Sequence, residues 1–134
     1  MCCEFSKELL TEIKNPNCRF YKVYKNGKCY YDEFLKSLTQ PSDINAFKAL
    51  MAIMDRFDTD VLESKGIVNS VHGGKKDRKD ILEFKRHDIR IYFTIQAPGV
   101  FVLMGGYKKD QKKMDIPNVF RRFNHMPSDI PDKD

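Results

Sequence analysis

The run from Ile81 to Lys113, ILEFKRHDIRIYFTIQAPGVFVLMGGYKKDQKK, holds three strand patterns in succession. Charges crowd both of its ends, whereas Ile91 to Met104 carries none. The middle pattern alternates strictly. Ile89, Ile91, Phe93 and Ile95 point one way, and Arg90, Tyr92 and Thr94 the other, as the two-residue period of a strand requires. The next run, Val100 to Met104, is apolar at every position and predicts a strand covered on both faces. Ala97-Pro98-Gly99 between them is a turn signal, so the two form an antiparallel hairpin. Ile81 to Lys85 is a shorter strand leading in, with Leu82 toward the core and Glu83 and Lys85 on the opposite face. Gly105-Gly106 ends the apolar run and releases a basic segment, Tyr107 to Lys113. A sheet floor with cations at its rim is a surface suited to a polyanion.

Working outward, residues 4–14 have helical spacing, with Phe5, Leu9, Leu10 and Ile13 on one side, and Asn15-Pro16-Asn17 stops them. Cys18 to Lys25 alternates around Phe20 and Val23 as a strand. Asn26-Gly27 is the strongest short turn signal of the chain. A hairpin partner is conceivable after it, but Tyr31, Phe34, Leu35 and Leu38 repeat at helical spacing. Pro41-Ser42-Asp43 opens the best helix, capped by Ser42 or Asp43, with a stripe of Ile44, Phe47, Leu50, Met51, Met54 and Phe57. Its methionines are core filler. A second apolar patch, Val61-Leu62 and Ile67-Val68, leads to a polar loop from His72 to Lys79. Beyond the three strands, Asp115 or Asn118 caps a last short helix bearing Val119, Phe120 and Phe123. Pro127 to Asp134 has the composition of a frayed tail. These elements predict an α+β domain, helices packed on a small, mostly antiparallel sheet of about four strands. One domain spans 1–126, residues 1–17 being a helical extension and 127–134 a flexible tail.

With 134 residues, 41% hydrophobic and 32% charged, the chain belongs with soluble globular domains and can build a real core. No apolar stretch approaches bilayer length. Met1-Cys2-Cys3-Glu4-Phe5 lacks the basic and apolar regions of an export signal, so a cytoplasmic location is expected. The four cysteines, Cys2, Cys3, Cys18 and Cys29, lack zinc spacing and read as reduced thiols, and no local context activates one for catalysis. The net charge of +5 is unevenly placed. Residues 75–90 and 105–124 together carry thirteen Lys and Arg against six Asp and Glu, and the remainder eleven against thirteen. That asymmetry points to an acidic partner, nucleic acid or acidic protein, although any single charge run is more often a solvated face.

Leu82-Glu83-Phe84-Lys85, then Asp88-Ile89-Arg90-Ile91-Tyr92-Phe93, then Val102-Leu103-Met104-Gly105-Gly106-Tyr107-Lys108-Lys109 together resemble the HigB-like branch of the RelE/ParE toxin superfamily. Gln111, Lys112 and the segment from Asp115 onward look like that branch's glutamine-lysine continuation and closing helix. The motif match covers about residues 81–123. The resemblance implies a RelE-like fold and the toxin of a type II toxin-antitoxin system, an mRNA-cleaving endoribonuclease that usually acts on the ribosome. It also implies a protein antitoxin as partner. Some superfamily members instead poison DNA gyrase, and a nucleic-acid-binding module without catalysis is a third reading. Lys85, Arg90 and Lys108 or Lys109 fall on matched positions. Lys85 stands where arginine is common, and the loop 70–80 and the first 17 residues have no counterpart.

RNA supplies its own nucleophile, the 2′-OH. Cleavage needs in-line placement, a proton acceptor, a proton donor and stabilisation of the phosphorane's charge. No H-E-x-x-H motif, zinc set or carboxylate cage is present, so metal-independent chemistry and no cofactor are expected. Arg90, whose planar fork suits a phosphate, and Lys85 one strand over are expected to stabilise the phosphorane, with Lys108 and Lys109 at the rim. A strand arginine also commonly does no more than cover a sheet edge. His87, whose imidazole type titrates near neutrality, or a lysine handles the proton. His125 and His72 are weaker candidates for that role. Tyr92 and Tyr107 offer stacking surfaces for a base, and Arg86, Lys112, Lys113, Arg121 and Arg122 supply general attraction to phosphates. Neither a membrane nor a small-molecule cofactor is expected as a partner.

Overall fold

A computed structural model describes residues 4–58, 68–70, 81–96 and 99–133. In chain order they form β1 (Phe5–Leu9), β2 (Arg19–Lys25), α1 (Tyr30–Ser37), α2 (Pro41–Arg56), β3 (Val68–Ser70), β4 (Ile81–Arg86), β5 (Ile89–Gln96) and β6 (Gly99–Tyr107). A 3₁₀ turn (Lys108–Asp110), a π turn (Gln111–Asp115) and α3 (Ile116–Phe123) follow. One six-stranded sheet has the order β1-β2-β6-β5-β4-β3. Among the strands of the described residues, β2 pairs with β6 in parallel and the other neighbours run antiparallel. The fold is therefore α+β, a mostly antiparallel sheet with helices packed on it, and is compatible with a RelE-like architecture. It has six strands among the described residues in place of the expected four or so, because Phe5–Leu9 and Val68–Ser70 add a strand at each edge.

The alternation of β5 sorts the core into two layers. Ile89, Ile91 and Phe93 join Phe20, Phe84, Val100 and Val102 under α1 and α2, which contribute Phe34, Phe47, Leu50 and Met54. Tyr92, on the other face, joins Ile81, Phe101, Leu103 and Val23 under Val119, Phe120 and Phe123 of α3. β6 is buried on both faces, as its unbroken apolar run predicts. Leu103 is an extra residue in β6, because Tyr92 pairs with Met104 while Phe93 pairs with Val102. Such a bulge bends the strand and strengthens its twist. Phe57, just past α2, closes the first layer by edge contacts with Phe20, Phe84 and Phe93.

Several local expectations hold. Asn26 and Gly27 both have positive φ, 54° and 81°, and Lys25 and Lys28 exchange two backbone hydrogen bonds around them. That is the geometry for which Asn-Gly is suited, and the chain enters α1 directly afterwards. Others are corrected. Residues 5–9 form a strand and not a helix, because the outer edge of β2 offers unpaired backbone groups that β1 satisfies in register from Phe5↔Lys25 to Leu9↔Tyr21. Leu9, placed on the apolar stripe of a helix, is exposed as a result. Residues 127–133 are not a loose tail. Ile130 is buried, the Lys7 amide donates to the Pro131 carbonyl at 2.9 Å, and the Lys133 amide donates to the Lys7 carbonyl at 2.8 Å. Ile130 and the contacts to Lys7 together hold this strap along β1.

Helix starts also differ. Gln40, not Ser42 or Asp43, precedes α2, with Pro41 at its first position. Asp115 has helical dihedrals because the backbone already turns helically from Lys108 onward, so it does not cap α3. Gly105 and Gly106 continue β6 rather than ending it, pairing with Ile91 and Arg90. They are small because neighbours occupy their side-chain space. A Cβ on Gly105 would lie 2.2 Å from the Phe34 ring, and one on Gly106 2.0 Å from the Asp115 carboxylate. Val61, Leu62, Ile67, the loop from His72 to Lys79, Ala97 and Pro98 lie outside the described residues.

Candidate functional site

The β4–β5 hairpin turns on two residues, His87 and Asp88, beyond the pairs Lys85↔Arg90 and Arg86↔Ile89. His87 takes a left-handed φ of 51°, uncommon for a residue with a side chain. The exit of β6 is stitched to this turn, since the Lys108 amide donates to the Asp88 carbonyl at 2.7 Å. The N-terminal end of α2 approaches from the helical side of the sheet. Two contiguous hollows result. The first, about 470 Å³, is lined by Ser42, Asp43, Asn45, Arg86, His87 and Asp88 among others. The second, about 550 Å³, is lined by Gln40, Asp43, Asp88, Tyr107, Lys108 and Lys109. Asp43 and Asp88 border both, so the hollows form one groove.

The charged side chains of this groove are uncommitted. Asp43, Arg86, His87, Asp88, Lys108 and Lys109 make no side-chain hydrogen bond or ion pair among the described residues. At the β1–β2 end, Lys7 pairs with Asp132, Lys22 with Asp32 and Glu8, and Lys28 with Glu33, while Arg19 and Lys25 form no ion pair among the described residues. Tyr107 is half-buried, set edge-on against Phe34, with the Lys109 ammonium 5.6 Å from its ring centroid. A cationic rim beside an aromatic face and a helix start is chemically suited to an anion with an attached ring.

The residues expected to act together divide into two groups. His87, Arg86, Lys108, Lys109 and Tyr107 meet at the groove. Arg90 and Tyr92 do not. They lie on the opposite face of the sheet, buried beneath the segment 108–123. Only 6% of Arg90 is exposed, and its Nη1 donates to the carbonyls of His87 at 2.7 Å and Ile89 at 3.0 Å. Glu83 is buried on that face and accepts from Gln111. The Asp115 carboxylate covers Gly106, and burial, with Asp110 adding, raises its pKa against the Tyr107 backbone and Arg122. The Tyr92 hydroxyl is buried, and burial first, then Asp115, pushes its pKa well above the usual phenol range against the side chain of Gln111. Lys85, half-buried, is paired across strands with Arg90.

Of the outer cations, Lys112, Lys113 and Arg121 are exposed. Arg122 is packed over the Tyr30 ring at 3.9 Å and donates to the Met104 sulfur, so its charge is partly engaged in structure. His125 is exposed beyond α3, and His72 lies outside the described residues. Among the described residues no three His, Cys, Asp or Glu side chains are placed to hold a metal ion. Cys18 and Cys29 are buried free thiols, and burial pushes Cys29 up to about 11, far from thiolate chemistry at neutral pH. Sequence reading missed the α2 side of the groove. Gln40, Ser42, Asp43 and Asn45 read only as a helix start, because no local pattern says which strand turn a helix end will face.

No family model and no curated protein matches this chain.

Proposed function

We propose that the chain is a metal-independent endoribonuclease that works at the groove between the α2 start and the β4–β5 turn. The observation that carries this is the convergence of Arg86, His87, Lys108 and Lys109 on one groove, beside the carboxylates Asp43 and Asp88, with none of them ion-paired among the described residues. Clustered, uncommitted cations attract a phosphodiester and stabilise the additional charge of a phosphorane. Arg86 and the two lysines take that role. His87 accepts the 2′-OH proton, the 2′ oxygen attacks phosphorus, and a lysine ammonium returns a proton to the departing 5′ oxygen. Tyr107 offers a face for the flanking base.

The resemblance to HigB-like toxins supports mRNA as the substrate, in the cytoplasm and on the ribosome, with a protein antitoxin that covers the groove. Arg90 and Tyr92 are not among the RNA contacts, since both are covered on the far face. Among the described residues no helix is long and apolar enough to cross a membrane.

The test is the chemistry of the cut ends. Purified protein and an RNA substrate, with and without translating ribosomes, should give 2′,3′-cyclic phosphate and 5′-hydroxyl termini. Cleavage leaving 5′-phosphates would contradict attack by the 2′ oxygen.

A further inference from the structure

Three successive carbonyls, those of His87 and Asp88 in the β4–β5 turn and of Ile89 at the start of β5, each accept a hydrogen bond. Arg90 Nη1 donates to His87 and Ile89, and the Lys108 amide donates to Asp88. Arg90 itself is unusual. A buried guanidinium ordinarily pairs with a carboxylate. Glu83 and Asp115 share its face, yet it forms no ion pair among the described residues and its Nε has no hydrogen-bond partner. Of its two side-chain hydrogen bonds, one goes to His87 in the turn and the other to Ile89 at the start of β5. The turn is also where a non-glycine residue holds a left-handed φ, a conformation that persists only when its surroundings over-determine it.

We propose that Arg90 is a positioning residue that acts through His87. Its guanidinium grips the turn from beneath the sheet, while the Lys108 amide holds it from the side, and together they keep the imidazole in the groove. The consequence for catalysis rests on the ribonuclease reading, whereas the clamp itself does not. A substrate-contacting arginine would need an exposed fork, and here the fork is turned inward onto peptide carbonyls.

The experiment compares wild type with Arg90→Gln and Arg90→Lys by three readouts. Hydrogen exchange of the Lys108 amide reports opening of the turn. The NMR pH titration of the His87 imidazole reports its surroundings, and steady-state RNA cleavage reports the chemistry. In Arg90→Gln the Lys108 amide should exchange about tenfold faster or more, as expected for loss of charge-assisted hydrogen bonds. The His87 titration curve should be displaced, and kcat should fall at least about tenfold with KM nearly unchanged. Arg90→Lys, which keeps the charge but not the fork, should be intermediate in all three. Wild-type exchange and titration in a folded Arg90→Gln protein would overturn the clamp. A raised KM with kcat preserved would also overturn it, by showing that Arg90 touches RNA. If Arg90→Gln does not fold, Arg90→Lys decides, and wild-type values there overturn the proposal. If wild type cleaves no RNA, the ribonuclease reading fails, and exchange and titration still judge the clamp.

Discussion

Replacing Gly105 with alanine tests how α1 is seated on the sheet. The added Cβ would lie 2.2 Å from Phe34 Cδ2 and 2.7 Å from both Cγ and Cε2, against an optimum of about 3.5–4.0 Å for carbon pairs. The ring must therefore retreat by more than about 1 Å. Phe34 is 8% exposed and locked edge-on against Tyr107, so it has no open space to enter. Overpacking of this kind costs about 1–3 kcal/mol, and three close ring atoms place Gly105→Ala in the upper part, at about 2–3 kcal/mol. At about 2.1 cal/mol/K per residue, the chain has an unfolding entropy of about 0.28 kcal/mol/K, so Tm should fall by about 7–11 °C. Thermal melts followed by circular dichroism measure this. Phe34→Leu should cost less in the Gly105→Ala background than in wild type, with a coupling of about 1 kcal/mol or more. A neutral Gly105→Ala, or strictly additive effects, would refute the close approach of Phe34 as the reason for glycine here.

Other outcomes follow from the same structure. Ile130→Ala should destabilise by about 2–4 kcal/mol in urea melts and speed hydrogen exchange at the Lys7 and Lys133 amides, because its buried side chain helps hold the strap along β1. Lys108→Ala with Lys109→Ala should weaken RNA binding and flatten its salt dependence by about 1.4 log units per log unit, roughly 0.7 for each lysine–phosphate interaction removed. Burial lifts the Cys29 thiol from 9.0 to about 11, so the fold binds its proton more tightly than the unfolded chain does. Its stabilising contribution is fully present below about pH 9 and is lost as pH rises toward 11. Urea midpoints should therefore drop across that window in wild type and drop less in Cys29→Ala.

The central hairpin was legible because its pattern has one meaning. Alternating apolar and polar residues from Ile89 to Ile95 fit a strand and form one, although both of its faces are covered and not only the apolar one. The Asn26-Gly27 turn was equally legible, since a tight turn with two positive φ values selects those residues. Phe5 to Leu9 was not. Its own spacing suits a helix, and only the open edge of β2, more than one turn further along the chain, makes it a strand. The strap around Ile130 was hidden by its polar neighbours for a similar reason. Of the residues at the groove, His87 is suggested by residue chemistry and Lys108 and Lys109 by the resemblance. The alternation of β5 correctly sets Arg90 opposite Ile89 and Ile91, but it does not tell which face a later helix will cover. Segment 108–123 covers it, and that turned an expected phosphate contact into a buried side chain bound to carbonyls.

The most direct measurement is transcript 5′-end mapping after brief induction in bacteria, comparing wild type with His87→Ala and with Lys108→Ala/Lys109→Ala. A ribonuclease working at the groove should create new ends inside translated regions in wild type, with few or none in either variant. Growth arrest with DNA breaks and no new RNA ends would contradict it and point to gyrase. The absence of both arrest and new ends would leave a nucleic-acid-binding protein without catalysis.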